Sequence, residues 1–264
     1  METLNTYVKK IYEARYFLLH LVNWDIKYKF RRSKLGIIWT VLQPFLLTLI
    51  IALVFGYVFD QEMTTYAPYI LSGVLVWDII SAAIIGNGSS FLAAETYIRQ
   101  FAHPVTLYPL RAAMVSVITF IIATIGLFAW IGFIYPENIP IALISLPLTG
   151  MIYFLMAWAL SIISSHINVR YRDYPYVMQL VMQFLWYMSP VFFKEEMFES
   201  NALLHSFFLV NPITHVLMVI REPFLSGSFA PIVSYVYTFA IASLLLIIAW
   251  YVNKKLEKTV IYYL

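Results

Sequence analysis

The chain has 264 residues, 62% of them hydrophobic and only 12% charged, with a mean hydropathy of +0.79. A soluble domain carries about 25% charged residues, so this composition excludes a soluble enzyme, a disordered chain and a collagen-like rod. Without cysteine there is no disulfide framework, thiolate zinc site or iron–sulfur cluster, and the formal net charge of +3 matters through its distribution rather than its size.

Ahead of any long apolar run, Tyr7, Val8, Ile11, Tyr12, Tyr16, Leu19 and Val22 recur at helical spacing, with Lys9, Lys10, Glu13 and Arg15 between them. The pattern predicts an amphipathic helix lying in the membrane interface, within a cytoplasmic segment 1–34. It can be a surface anchor or can also brace a cytoplasmic partner, and the pattern does not separate the two. This segment is polar and basic, so no secretory signal is expected.

Crossing a bilayer takes about 20 mostly apolar residues. Six segments meet that length: 35–59, 67–92, 105–134, 140–163, 176–193 and 231–252. A seventh apolar stretch, 202–210 and 213–220, is broken by Asn211-Pro212. Neither half can cross, so both are read as re-entrant or interfacial pieces, tolerated at membrane depth only where protein or a water-filled cavity covers them. The expected fold is an all-α integral membrane protein: an interface helix, a six-span domain over 35–252, short re-entrant helices between spans five and six, and a cytoplasmic tail over 253–264.

The basic residues orient it. Fifteen of the 17 Lys and Arg fall on one predicted side, and only Lys194 and Arg221 on the other. That other side holds Asp60, Glu62, Glu137, Glu195, Glu196, Glu199 and Glu222. The positive-inside rule then places both termini in the cytoplasm, as an even number of spans requires.

Chemistry-bearing motifs are sparse. There is no G-x-x-x-x-G-K-[ST] to cradle ATP, no G-x-G-x-x-G, and His20, His103, His166, His205 and His215 show no metal-ligand spacing, so no catalytic, metal or cofactor residue is assigned. Asp78 is the one ionisable residue deep in a predicted span, roughly 16 Å from its outer end at about 1.5 Å per residue. It can make a local hydrogen bond, line an aqueous cavity or carry protons. Secondary transport lacks support in the sequence, because no internal repeat relates residues 1–132 to 133–264. Asp60-Gln61-Glu62 offers an acidic pair of the kind polyprenyl-phosphate-sugar glycosyltransferases use just past a span, although such acids are common in outside loops.

Four stretches together resemble the membrane subunit of ABC-2-type polysaccharide exporters, the O-antigen, capsule and teichoic-acid permeases. The first runs from Tyr28 through Arg31-Arg32-Ser33-Lys34-Leu35-Gly36 to Trp39 and Gln43-Pro44. The second runs from Trp77-Asp78 through Gly88-Ser89-Ser90 and Ile98-Arg99 to His103-Pro104 and Tyr108-Pro109-Leu110. The third is Arg170-Tyr171-Arg172-Asp173 with Gln183 and Met188-Ser189-Pro190, and the fourth Asn211-Pro212-Ile213-Thr214. Asp78, Val105-Thr106 and His215 depart from the residues usual in the family, which bears on gating and partner details.

The resemblance implies a permease of the bacterial inner membrane that does no chemistry itself and exports a lipid-linked polysaccharide, O antigen first among them, for lipopolysaccharide biosynthesis. It implies a homodimer served by two copies of a separate nucleotide-binding ATPase, which binds ATP and Mg; membrane lipids are the other partner and nucleic acid is not one. An ABC-2 exporter of a drug or small lipid has the same architecture and stays open. The loop 94–104 looks like the family's coupling helix, so Glu95, Tyr97, Ile98, Arg99, Phe101 and His103, with Arg172 and Asp173, are expected to meet the ATPase. Arg31, Arg32 and Lys34 can receive a pyrophosphate headgroup at the cytoplasmic entrance, or simply set topology and touch lipid. Aromatic rings hold sugar chains weakly enough to let them slide. The candidates for that path are Trp39, Tyr57, Tyr66, Tyr69, Trp77, Tyr153, Trp158, Trp186 and Tyr187, with Asp78 beside them. Residues 194–229 resemble paired outer gate helices, marked by Asn211, Pro212, His215 and Arg221.

Overall fold

The computed structural model describes residues 4–101, 103–194, 197 and 211–264, and every regular element among them is helical. Helices α1 (Leu4–Glu13) and α2 (Arg15–Phe30) meet at a one-residue break. The predicted amphipathic stripe resolves into two faces. Ala14, Leu18, Leu21 and Val22 point inward at helical spacing, whereas Tyr12, Tyr16 and Leu19 stay exposed.

Among the described residues, five helical stretches are long and apolar enough to cross a membrane: Gly36–Val58, Met63–Ala93, Leu107–Ile134, Pro136–Arg170 and Ile232–Tyr263. Within them lie α3 (Trp39–Val58), α4 (Met63–Ser81), α5 (Ser90–Ala93), then, after the connecting α6 (Glu95–Gln100), α7 (Leu107–Ile134) and α8 (Ile139–Arg170). The fifth predicted span, 176–193, is instead the shorter α9 (Tyr174–Met188), 15 residues long, or about 22 Å. Ser189 ends it in extended backbone because Pro190 follows and excludes the helical region for the residue before it.

α10 (Pro212–Arg221), α11 (Ile232–Leu256) and α12 (Val260–Tyr263) complete the order. Residues 253–264, expected as a tail, carry the end of α11 and all of α12. Val260 and Leu264 pack into the same apolar cluster as Ala14, Leu18 and Leu21. The two ends of the chain therefore meet at one end of the bundle, here termed the basic end. α9 packs against α8 and α4: Tyr174 donates to Ser164 Oγ at 2.7 Å, and the Trp186 ring meets Trp77 edge-on at 5.4 Å.

The central core is built from Leu71, Leu75, Ile79, Phe120, Leu127 and Tyr153, and α10 inserts Val216, Leu217 and Ile220 into it. Between α4 and α5 the helix widens into a π turn at Ala82–Gly86 and tightens into a 3₁₀ turn at Asn87–Ser89. Backbone groups freed there have no water to bond within hydrocarbon. Side chains of α8 take over: Ser165 Oγ donates to the Asn87 carbonyl at 3.1 Å and Asn168 Nδ2 to that of Gly88 at 3.0 Å. Asn87 Nδ2 in turn donates to Ser116 and Ser161 at 3.0 and 2.9 Å, stitching α7 and α8 to the irregular turn.

Candidate functional site

At the acidic end, Asn211-Pro212 starts α10. Asn211 Oδ1 accepts from the Ile213 amide at 3.0 Å, and Pro212 occupies the first turn, where a missing N–H costs nothing. The other end of that amide, Nδ2, donates to the Met188 carbonyl at 3.1 Å, tying α10 to the end of α9. Asn211→Ala is expected to cost about 1 kcal/mol of stability; an unshifted thermal unfolding curve in detergent would show that this cap holds nothing.

Arg221, the last residue of α10, is 7% exposed. It donates to the Val191 carbonyl at 2.7 Å, to the Tyr69 hydroxyl at 3.0 Å and, at 3.4 Å, to the Tyr69 carbonyl and Ser72 Oγ. Its Cζ lies 3.7 Å from the Tyr69 ring centroid. No carboxylate among the described residues pairs with it. Desolvation pulls its pKa below the usual arginine value, and Tyr69, Tyr153 and Glu222 push it back. Beyond α10, Asn138 holds the Glu222–Ser226 turn by donating to the Phe224 and Leu225 carbonyls at 3.1 and 3.0 Å. His215 lies 3.2 Å from Ser234 Oγ and stacks on Tyr237 at 4.6 Å. Glu195, Glu196, Glu199 and the 202–210 half of the expected gate pair lie outside the described residues.

At the basic end, α6 presents Glu95 and Arg99 as an exposed ion pair at 3.0 Å. Ile98 turns toward the apolar cluster beneath, while Tyr97 and Phe101 stay exposed. Phe17 gathers this surface: its ring stacks on His103 at 4.9 Å and meets Tyr97 at 5.9 Å and Phe101 at 6.1 Å. Of the other expected contact residues, Arg172 donates to the Tyr263 carbonyl at 3.1 Å, and Asp173 precedes α9, its carbonyl accepting from the Tyr176 and Val177 amides. Arg31, Arg32 and Lys34 occupy the exposed turn between α2 and α3. Gly36 closes that turn at φ +54°, a conformation costly for any residue with a Cβ, and its amide donates to Ser33 Oγ at 3.1 Å.

Sequence reasoning missed two residues here. Phe17, half-buried on α2, lies outside the stripe of residues singled out at helical spacing. Asp25 forms a bidentate ion pair with Arg111, joining α2 to α7. The available signal was Asp25 as the lone acid in a basic stretch and Arg111 inside an apolar helix.

The aromatic path candidates separate by exposure. Tyr66 and Tyr153 are core side chains, Tyr153 donating to the Val216 carbonyl at 2.6 Å, and Trp77 is buried against Trp186. Tyr69 serves Arg221, and Trp158 is half-buried. The fold gives Tyr66, Trp77 and Tyr153 no open surface for a passing chain, whereas Tyr69 and Trp158 keep part of theirs. Trp39, Tyr187 and above all Tyr57, 92% exposed, remain open. Asp60 and Glu62 lie in the α3–α4 turn, where the Glu62 carbonyl starts α4 by accepting from Tyr66 at 2.8 Å. α9 exposes Tyr176, Gln179, Leu180, Gln183, Phe184 and Tyr187 on one face. Asp78, 15 residues from either end of Met63–Ala93, opens into a cavity of about 330 Å³ reaching Lys29 near the basic end.

The sequence profile of the ABC-2 type transporter family matches residues 16–225, from α2 through the turn after α10. The chain belongs to this family. As an ABC-2 type transporter chain it is 23% identical to the O-antigen export system permease protein RfbA of Klebsiella pneumoniae, over 80% of this chain and 81% of that one. It is 22% identical to the protein of the same name from Myxococcus xanthus, over 80% of each chain. The polysialic acid transport protein KpsM of Escherichia coli is 22% identical over 88% of this chain and 90% of its own. The ABC-2 match spans the basic-end surface, the α9 face and the Arg221 lock alike.

Proposed function

We propose that this chain is the permease subunit of an ABC exporter that carries a lipid-linked polysaccharide, O antigen, across the bacterial inner membrane. The observation that carries the reading is the α9 face. Gln179 and Gln183 stand exposed between Tyr176 and Tyr187 on a helix otherwise apolar, and an amide facing lipid tails forfeits its hydrogen bonds. The face therefore belongs against an aqueous path or a second copy. A homodimer supplies both, with α9 and the exposed side of α3, Tyr57 included, bordering a path between the protomers. Tyrosine rings and glutamine amides together suit a sugar chain, offering apolar faces and weak, exchangeable hydrogen bonds. Similarity to permeases named for O-antigen and polysialic acid transport supports the same cargo class.

Six crossings fit this reading, α9 with residues 189–194 making the fifth, and the positive-inside rule puts the basic end and both termini in the cytoplasm. The exposed Tyr97–Phe101 surface of α6 then docks a separate ATPase, two copies per dimer, which binds ATP and Mg. Arg31, Arg32 and Lys34 line the entrance for the pyrophosphate, and α10 with Arg221 closes the far side.

Purification of the tagged chain from its native membrane in mild detergent, with partners identified by mass spectrometry, tests the assembly. An ABC-type ATPase is expected at one copy per permease chain, its recovery falling at least tenfold in a Tyr97→Ala/Phe101→Ala variant. A folded dimer recovered alone would sink the powered-exporter reading.

A further inference from the structure

The cavity beneath Asp78 lies inside a single protomer, between α2, α3, α4 and α7, away from the exposed α9 face. Its lining includes Lys29, Trp39, Thr40, Gln43, Asp78 and Asn87. Asp78 is exposed to the cavity, and no protein group among the described residues bonds to it; the same is true of the Gln43 amide. A carboxylate halfway along a membrane-length helix is costly. It accepts only, so it needs donors.

We infer that this cavity is a saccharide-binding subsite, taking neutral sugar residues of the transported glycolipid through Asp78, Gln43 and the Trp39 ring. The inference rests on the export reading and deepens it. Vicinal hydroxyls of one sugar ring supply two donors to one carboxylate, and the Gln43 amide supplies both donors and an acceptor. The Trp39 ring presents a face for the apolar C–H side of a sugar. Charge argues for a neutral ligand. Among the described residues Lys29 is the only other charged one lining the cavity, so a free phosphate would meet the Asp78 carboxylate and a free cation would meet Lys29. The volume of about 330 Å³ is at the small end of ligand pockets, enough for a short saccharide and not for a polymer. From Lys29 the chain runs directly into the basic turn of Arg31, Arg32 and Lys34. A pyrophosphate held on that turn would present its first sugars to the cavity, so the subsite reads the linkage end of the glycolipid.

The test uses the full permease–ATPase complex in lipid nanodiscs, with saturation-transfer NMR of the methyl glycosides of glucose, mannose, galactose, rhamnose and N-acetylglucosamine, and glucosamine as a cationic control. At least one neutral glycoside is expected to bind, at least tenfold more weakly in both Asp78→Leu and Gln43→Leu. Neither replaced side chain makes a protein hydrogen bond that the substitution would break, and thermal unfolding checks that each variant is folded. The subsite is overturned if no neutral glycoside binds, if binding survives both substitutions, or if glucosamine alone binds, which would mark a cation site. Export is scored separately: a wild-type complex that moves polysaccharide while glycoside binding ignores Asp78 loses only the subsite. A complex that moves none loses the export reading as well.

Discussion

Arg221→Met is expected to loosen the acidic end of the bundle, lowering stability by about 3 kcal/mol and abolishing export. Two effects oppose each other at this position. Removing a buried cation relieves its desolvation, but Arg221 meets four acceptor atoms and the face of Tyr69. Without it the Val191 carbonyl is left buried and unsatisfied, at about 1–3 kcal/mol. Loss of the desolvated cation–π contact adds about 2 kcal/mol. The Tyr69 carbonyl also accepts from Ser72 at 2.7 Å and is less exposed to the loss. The lost contacts outweigh the relief because they join three segments, α4, the residues after α9, and α10. Arg221→Lys keeps the charge but offers one nitrogen where three are used, so it should fall between the two. The same close approach accounts for Gly73, whose added Cβ would collide with the Val191 carbonyl and Arg221 Nη2. Thermal unfolding of the purified complex, alongside surface polysaccharide in cells, checks this; wild-type values for both in Arg221→Met would show that the lock is ornamental.

Breaking the Asp25–Arg111 pair should have an effect of similar size by a different route. The two side chains are 26% and 16% exposed, so removing one partner strands a largely desolvated charge, at about 3 kcal/mol. The loss falls on the docking of α2, which carries Phe17 to the α6 surface. Asp25→Ala or Arg111→Ala is therefore expected to release α2 to limited proteolysis and to reduce ATPase recovery, while the Asp25→Arg/Arg111→Asp exchange restores more than half of both. Independent, additive losses in the exchanged variant would mean that the two residues are not coupled.

How much of this was legible beforehand follows from the kind of information each feature needs. Span positions depend on local apolar length, and three of them emerge within a few residues of their expected bounds, while the helical stretches at 140–163 and 231–252 run on seven and eleven residues further, to Arg170 and Tyr263. Asn211-Pro212 was legible as a break, because a cap followed by proline starts a helix whatever surrounds it. α9 was misjudged in length, since hydropathy does not register the backbone restriction that Pro190 places on Ser189. Tyr66, Tyr153 and Trp77 were grouped with path-lining aromatics although they fill the core, because an aromatic ring has the same sequence signature whether it faces neighbours or a channel.

Composition and spacing by themselves determined that this protein is helical and membrane-embedded and carries its positive charge at one end. Those properties are sums over local residues, and hydrophobic transfer and helical periodicity act on them directly. Only the tertiary structure decided that Asp25 meets Arg111, that Arg221 is locked by neutral acceptors, that α8 satisfies the π turn, and that Asp78 opens into a polar cavity. Each of these joins residues far apart in the chain, at distances set by helix packing, and hydrogen bonds and ion pairs act only once that packing has brought their partners within reach.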